Sequence, residues 1–448
     1  DDVINATKGV DYVFASTDEV YFAGNCPKCP RPYNAENRSL AWVDYVRKVH
    51  DHLSKRGRRM LVWAEFPLLA EHIKLLPPDI IDGVIGEADY IGPENERGIR
   101  QLTYNSMQGA EFLFPNHFAM EGGHRAHIEA AFENILHGRH WQGKPIGAFG
   151  AAWDDSGLHN ETFWLGWTAV AAWAWHPGQP SVEQYSAEFM QSFYGPRVHG
   201  MLEVYRLMQS QARAWERTWD YIPSRTVPPS WGSYFGKGIG THRSDMTLAA
   251  PLVNDLPDWF PDPAWTVRYK HFIDEANLRK AENKRLIEAL QTSLGQADRN
   301  RYNLEVFLAL ARFMGHHWDL ILDLAKAEDL IRQGQAITMN SKTDDQEKYL
   351  SILREASRTV ENTHQQGLSI FADLKAVYEK SRYPKGQSVD GRTFLHVQDD
   401  IKDHWADRRS DLSFMMAPEE SIHLEAWANE LRSVIRLFEE QNDLPAKP

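Results

Sequence analysis

Two adjacent carboxylates, Asp18 and Glu19, follow a short apolar segment at residues 10–14. β-Branched and aromatic residues in a run of this length are typical of a buried strand. Acids at the carboxyl end of a barrel strand suit the hydrolysis of glycosidic and other bonds. Because side chains alternate along a strand, Phe14, Ser16 and Asp18 share one face and Glu19 takes the other, so both acids reach one ligand only where the strand curls at Asp18. A polar turn or a helix cap is the alternative explanation of these acids.

Aromatic and polar residues also stand at or near the ends of the other apolar segments. Aromatic rings pack against the C–H faces of pyranose sugars, and carboxylate, amide and imidazole groups hydrogen-bond sugar hydroxyls. Core packing is the alternative for the tryptophans, and a helix cap is the alternative for the acid at position 155. The residues of these types at or near strand ends include Trp63, Glu65, Tyr90, Asn116, His117, Trp153 and Asp155.

The chain has two cysteines, Cys26 and Cys29, in the sequence Cys-Pro-Lys-Cys. This spacing matches half of a zinc site or a redox pair, but no second Cys-x-x-Cys or His-x-x-x-His pattern completes a metal site. A tight structural turn, with or without a local disulfide, is the third explanation. We expect neither a structural metal nor a cofactor.

Charge and length exclude several classes of protein. A formal net charge of -13 and the lack of a basic stripe argue against a nucleic-acid partner. No apolar run approaches the length of a membrane span, so we expect no membrane partner. The 448 residues are enough for two domains. The sequence leaves the compartment open between periplasmic or secreted and cytoplasmic.

Strand-like and helix-like segments alternate from residue 9 to about 175. Such alternation over short links is typical of parallel β/α units. The predicted strands lie near residues 10–16, 59–65, 80–86, 110–114 and 144–150, with a helix at 96–108 before the fourth. A closed (β/α)8 TIM-type barrel needs three more units. We expect an upstream segment or a second chain to supply them; an open five-stranded sheet is the alternative.

The remainder of the chain changes character. Residues 181–264 predict a helix followed by a loop rich in aromatic residues and proline, which we expect to pack on the barrel. Residues 265–448 predict an α-helical domain with long amphipathic helices near 265–294, 298–333, 343–382 and 418–441. The predicted fold is therefore α/β, part of a barrel in residues 1–180, followed by helices. A homo-oligomer is compatible with this organisation.

The order of these motifs resembles glycoside hydrolase family 20, the β-N-acetylhexosaminidases, in its branch with a C-terminal helical region. The pair Asp18-Glu19, followed by Val-Tyr, is similar to the Asp-Glu pair that ends the family's fourth barrel strand. Residues 62–65, Val-Trp-Ala-Glu, resemble the end of the fifth strand, and residues 147–155 resemble the last strand. The residues before the pair, Phe-Ala-Ser-Thr at 14–17, depart from the family's His-x-Gly-Gly.

The resemblance implies a retaining exo-β-N-acetylhexosaminidase that removes terminal β-linked GlcNAc or GalNAc, with the substrate's acetamido oxygen as nucleophile. Glu19 would be the general acid/base, its pKa raised by partial burial and by the negative charge of Asp18. Asp18 would orient the acetamido group. Trp63 and Trp153 would wall and floor the sugar site, and Asp155 would hold sugar hydroxyls. The further substrate contacts that the resemblance implies are Glu65, Tyr90, Asn116 and His117. A non-catalytic glycan-binding relative and a glycosidase with a carboxylate nucleophile are the alternatives.

Overall fold

A computed structural model of the chain describes residues 1–18, 20, 26–29, 31–84, 88–106, 115–119, 127–138, 142–152, 160–219, 265–337, 343–381, 388–389, 392–393 and 424–444. The chain divides into two compact units. The first unit comprises residues 1–109, 117–153 and 163–186, and the second comprises the remaining residues.

A five-stranded sheet in the order β1-β2-β3-β4-β5 forms the centre of the first unit, and every neighbouring pair is parallel. Helical segments connect the strands, as parallel pairing requires. The strands are β1 (Tyr12–Ala15), β2 (Arg59–Val62), β3 (Ile81–Asp82), β4 (Arg100–Ser106) and β5 (Pro145–Ala151). The α/β class is therefore confirmed, whereas closure of the sheet into a (β/α)8 barrel stays a prediction.

Five α-helices and a short 3-10 helix at Ala70–Leu75 accompany the sheet. Capping groups set their limits: the side chain of Asn34 accepts a hydrogen bond from the Asn37 N–H (2.8 Å) at the start of the second helix. Gly98 ends the third helix in the left-handed conformation, with φ 88°. The helices are α1 (Asp2–Ala6), α2 (Ala35–Ser54), α3 (Ile91–Arg97), α4 (Ile128–His137) and α5 (Trp164–Trp175).

The main core of the first unit lies between one face of β1 and β2, helix α2 and the 3-10 helix. Met60 and Val62 of β2 pack against Trp42 and Val46 of α2, and Val13 of β1 packs at the margin. Alternate residues of β1 and β2 therefore point toward the helices, as the sequence pattern predicts. The residues between them point to the opposite face of the sheet.

The predicted position of the fourth strand was wrong. The structure places β4 at residues 100–106, inside the segment that was predicted as a helix at 96–108. The helix-facing residues of β4 are Gln101, Thr103 and Asn105, all buried. Because these residues are polar, the strand lacks the hydrophobic alternation by which buried strands are recognised. Residues 110–114, where the strand was predicted, lie outside the described part of the chain.

Long helices dominate the second unit and confirm the predicted helical region. The central helix, α10 (Arg301–Gln335), packs against α9 (Lys270–Gln296) and α11 (Thr343–Glu379) and buries Phe307, Met314 and Trp318. A two-stranded antiparallel sheet, β6 (Ser388–Val389) and β7 (Arg392–Thr393), also belongs to this unit. Among the described residues from 182 onward, the helices are α6 (Val182–Tyr194), α7 (Met201–Trp219), α8 (Trp265–Arg268), α9 (Lys270–Gln296), α10 (Arg301–Gln335), α11 (Thr343–Glu379) and α12 (Leu424–Gln441).

The predicted aromatic loop, from residue 220 to 264, lies outside the described part. No helix among the described residues is both long enough and apolar enough to cross a membrane.

Candidate active site

Four aromatic side chains meet on the face of the sheet that points away from the main core. We call them the ring cluster: Phe14 of β1, Trp63 directly after β2, Tyr104 of β4 and Phe149 of β5. The Trp63 indole lies edge-on to the other three rings, at centroid distances of 4.7 Å to Phe14, 5.1 Å to Phe149 and 5.4 Å to Tyr104. Edge-to-face contacts of this kind favour a defined orientation of each ring.

A glycine on the intervening strand makes room for this arrangement. A Cβ atom at Gly83 would lie 3.2 Å from the Trp63 indole and 3.3 Å from the Phe14 ring. Both distances are below ordinary van der Waals contact. The indole therefore occupies the space that a side chain after β3 would otherwise fill.

Thr17 connects the end of β1 to the end of β2. Its hydroxyl donates a hydrogen bond to the Trp63 carbonyl and accepts one from the Trp63 N–H, both at 2.9 Å. Its own carbonyl accepts a hydrogen bond from the Trp42 indole of α2 at 3.0 Å. Thr17 is buried, so these bonds are shielded from water. They hold the residue before Asp18 directly beside Trp63.

Asp18 extends from this anchored position into solvent. Its Oδ1 accepts a hydrogen bond from the Ser16 hydroxyl at 2.6 Å, and both residues are exposed. Phe14, on the same face, is 38% exposed. The predicted alternation is confirmed: Phe14, Ser16 and Asp18 are open to solvent, whereas Val13 and Ala15 pack toward the core. Glu19 lies outside the described residues, so its distance from Asp18 stays a prediction.

Two other predicted contacts, Glu65 and Tyr90, lie on loops in the first unit. Glu65 is half-buried shortly after β2, and its carbonyl accepts the Leu68 N–H at 2.9 Å. Tyr90 is only 6% exposed and belongs to the main core, where its hydroxyl donates a hydrogen bond to the Leu68 carbonyl. The geometry of Tyr90 favours packing over contact with a ligand. The substrate roles of both residues remain predictions.

The remaining predicted contacts are not brought to the ring cluster by any described contact. Asn116 and His117 are buried, with 3% and 1% exposure. Trp153 and Asp155 lie outside the described residues, so their placement beside the sugar stays a prediction. In the described part of the chain, no group of three or more His, Cys, Asp or Glu side chains could hold a metal ion.

The sequence prediction missed a pair of buried acids behind the site. Asp82 of β3 lies on the helix-facing side, in register with Val62 and Gln101. Its Oδ1 accepts hydrogen bonds from the N–H groups of Ala64 (3.0 Å) and Val84 (3.1 Å). Asp82 therefore fixes the backbone directly after Trp63. An acid inside a predicted apolar strand, at residues 80–86, was the available signal.

Glu94 of α3 is the second buried acid. Its Oε2 accepts a hydrogen bond from the Gln101 side-chain amide at 2.9 Å, and the Gln101 Oε1 accepts the Lys144 N–H at 2.6 Å. Burial raises the pKa of Glu94 to about 7, although the Gln101 hydrogen bond opposes the rise. Burial, reinforced by the nearby charge of Glu94, also raises the pKa of Asp82 well above its usual value.

Comparisons with known proteins add little to this geometry. No protein-family model matches the chain, and no curated protein matches it. Among solved structures, the chain is similar to a GH138 enzyme targeting pectin rhamnogalacturonan II, with 12% sequence identity and a TM-score of 0.42. The match covers 93% of this chain and 50% of that enzyme, so the chain spans about half of the enzyme's length. A likeness at this identity and TM-score carries no argument about the activity of the chain.

Proposed function

We propose that this chain carries the sugar site of a retaining exo-β-N-acetylhexosaminidase. The observation that carries the proposal is an exposed carboxylate, Asp18, held beside the ring cluster, in which Phe14 is exposed and the other three rings are half-buried, at the carboxyl end of a parallel sheet. Active sites of parallel β/α folds lie at this edge of the sheet. Aromatic rings and a carboxylate are the groups that an amino sugar requires, since its ring packs on the former and its N–H donates to the latter.

The proposed chemistry has two steps. In the first, the acetamido oxygen of the substrate attacks the anomeric carbon and the glycosidic bond breaks, while Glu19 gives its proton to the leaving oxygen. Asp18 accepts a hydrogen bond from the acetamido N–H and stabilises the positive charge that develops. In the second step, Glu19 takes a proton from water, which attacks the same carbon and reopens the cyclic intermediate. The anomeric configuration is retained.

The ring cluster and its neighbours suggest which residues would contact each part of the sugar. Trp63 would line the acetamido pocket, because the Thr17 hydrogen bonds hold its backbone next to Asp18. The Ser16 hydroxyl donates a hydrogen bond to Oδ1 of Asp18, and we propose that Oδ2 accepts the acetamido N–H. Trp153, Asp155 and Glu65 are proposed to contact the sugar ring and its hydroxyls, on the strength of the sequence resemblance.

The decisive experiment is turnover of an aryl β-N-acetylglucosaminide by the protein that contains this chain. We expect Glu19→Gln to lower kcat by about 10²- to 10⁴-fold, the usual contribution of general acid/base catalysis. The matched control is Glu133→Gln, which makes the same change at an exposed position of α4 and should retain wild-type kcat. Full activity of Glu19→Gln would end the proposal.

The departure at residues 14–17 favours one rival, a glycan-binding protein without turnover. Calorimetry with chitin oligosaccharides distinguishes this glycan-binding protein from the proposed hydrolase: binding by the wild-type protein, together with no hydrolysis, supports the glycan-binding protein.

The other rival function is a glycosidase that uses a carboxylate nucleophile. It would cleave glycosides that lack an acetamido group and would resist N-acetylglucosamine thiazoline, which mimics the cyclic intermediate.

A further inference from the structure

Cys26 and Cys29 occupy the ends of one tight turn in the segment between β1 and α2. The Cys29 N–H donates a hydrogen bond to the Cys26 carbonyl at 3.0 Å, and the Arg31 guanidinium donates to the same carbonyl at 3.1 Å. Pro27 follows Cys26, and proline favours this second position of a β-turn because its φ is already fixed. Backbone hydrogen bonding, Arg31 and Pro27 therefore stabilise the turn without a contribution from the cysteine side chains.

The turn brings the two sulfur atoms together. The Sγ atoms of Cys26 and Cys29 are 2.9 Å apart. The ends of a β-turn have Cα atoms within about 7 Å, and a disulfide requires a Cα separation of about 4.4–6.8 Å. A bond between these sulfurs therefore requires little movement of the backbone.

The two thiols differ in their surroundings. Cys26 is exposed and Cys29 is half-buried. A hydrogen bond from the Cys29 thiol lowers the pKa of Cys26, and the Lys28 backbone N–H lowers it further. A thiolate is the attacking form of cysteine, and an exposed thiol with a lowered pKa is the one that reacts first.

We propose that Cys26 and Cys29 form a thiol–disulfide redox site that exchanges with low-molecular-weight disulfides, with Cys26 as the attacking residue. The Cys26 thiolate attacks one sulfur of the small disulfide, which breaks the S–S bond, expels one thiolate and leaves a mixed disulfide on Cys26. Cys29 then loses its proton and attacks the Cys26 sulfur, which expels the second thiolate. Two protein thiols are oxidised, and one disulfide is reduced to two thiols.

The site is independent of sugar hydrolysis and is tested without an activity assay. The protein is equilibrated with a series of buffers that differ in the ratio of oxidised to reduced glutathione. It is then quenched with acid and alkylated, and the peptide that spans residues 26–29 is analysed by mass spectrometry. We expect the wild-type peptide to pass directly from two alkylated thiols to an internal disulfide. Cys29→Ser should accumulate the glutathione adduct on Cys26, whereas Cys26→Ser should form its adduct more slowly at neutral pH.

Circular dichroism of both variants establishes that they fold as the wild type does. Four results would overturn the proposal: a wild-type peptide that stays reduced at every ratio, glutathione on both cysteines, a disulfide that joins two protein molecules, or protection of both thiols by equimolar zinc. The last would assign the pair to metal binding.

Discussion

At the scale of single residues, the missing side chain of Gly83 determines where Trp63 can lie. β1, β4, β5 and the residue directly after β2 contribute rings to the ring cluster, whereas Gly83, directly after β3, contributes only space. In a close-packed arrangement, a single added methyl group has to displace a neighbour. The neighbours here are aromatic rings that contact one another, so movement of one ring disturbs the others.

We expect Gly83→Ala to displace the Trp63 indole by a few tenths of an ångström and to cost about 1–3 kcal/mol of unfolding free energy. The substitution should also raise KM for an N-acetylglucosaminide, because the ring that lines the proposed pocket moves. Urea denaturation and steady-state kinetics measure the two effects. Gly92→Ala in α3 is the matched control: its Cβ meets no atom within 4 Å, so both quantities should stay at or above wild-type values. Equal behaviour of the two variants would contradict this packing argument.

Glu94 gives a second prediction at this scale. Its pKa is raised from 4.5 to about 7 in the folded state, so the folded state binds more protons than the unfolded state between these values. The free energy of unfolding therefore falls as pH rises through this window, by up to about 3 kcal/mol. Glu94→Gln keeps an acceptor for the Gln101 amide and removes the ionisation. We expect this variant to be more stable than the wild type near pH 8 and similar to it near pH 5.

The measurement is urea denaturation at both pH values. Glu133→Gln removes an exposed carboxylate from α4 and should keep the wild-type pH dependence. An unchanged pH dependence in Glu94→Gln would show that Glu94 does not carry the effect. The pKa of Asp82 is also raised, so Asp82 contributes a pH dependence of the same sign as that of Glu94.

The sequence predicted part of the site at this scale. Alternation along β1 was enough to place Phe14, Ser16 and Asp18 on one face, because a strand has a strict two-residue period. It did not reveal the ring cluster, since Tyr104 and Phe149 are distant in sequence and meet Trp63 only through strand order. Nor did it reveal the Asp82–Glu94 pair, because buried acids look like surface acids in a sequence.

At the scale of elements, α9 and α10 approach each other closely where Asn283 of α9 lies against Gly315 of α10. The buried side chain of Asn283 in α9 donates its amide to the Ala311 carbonyl of α10 at 2.9 Å. A Cβ at Gly315, one turn later, would lie 2.6 Å from the Asn283 Oδ1. Because Gly315 has no side chain, the two helices can pack this closely while the Asn283 side-chain amide keeps its hydrogen bond to the Ala311 carbonyl.

We expect Gly315→Ala to destabilise the second unit by about 1–3 kcal/mol, despite the higher helix propensity of alanine. Gly295→Ala, also in a helix but with no atom within 4 Å of its Cβ, should be neutral or stabilising. Thermal unfolding measured by circular dichroism compares them. Asn283→Ala should remove the clash, so the double variant with Gly315→Ala should lose less stability than the sum of the single changes. Additive losses would contradict a direct contact.

Elements differed in how well their sequence predicted them. The long helices were predicted well because many turns repeat one apolar stripe, so single polar residues do not hide the pattern. β4 was misplaced because its helix-facing side is polar. Gln101 and Asn105 hydrogen-bond to neighbouring segments, and Thr103 hydrogen-bonds to Asn105, instead of packing as apolar groups. Hydrophobic periodicity reveals which side of a strand is buried only where the buried residues are apolar.

At the scale of the whole molecule, the two outer strands of the sheet raise the question of what lies beside them. β1 pairs with β2, and β5 pairs with β4; neither has a second partner strand among the described residues. Parallel sheets are normally buried, and an uncovered edge would present N–H and C=O groups to other chains. We therefore propose that further strands, from an upstream segment or a second chain, complete a barrel.

Hydrogen–deuterium exchange of the whole protein tests this proposal. If further strands cover both edges, the amides of β1 and β5 have strand partners on both sides, and their exchange should be about as slow as that of the interior strand β2, which pairs with β1 and β3. The exposed turn at residues 55–57 supplies the fast reference. The proposal would be wrong if alternate amides in β1 and β5 exchanged as fast as this turn while β2 stayed protected. That result would show that the outer sides of β1 and β5 have no partner strand. The sheet would then be open, and the proposed sugar site would have to function with the walls that the five strands and their loops provide.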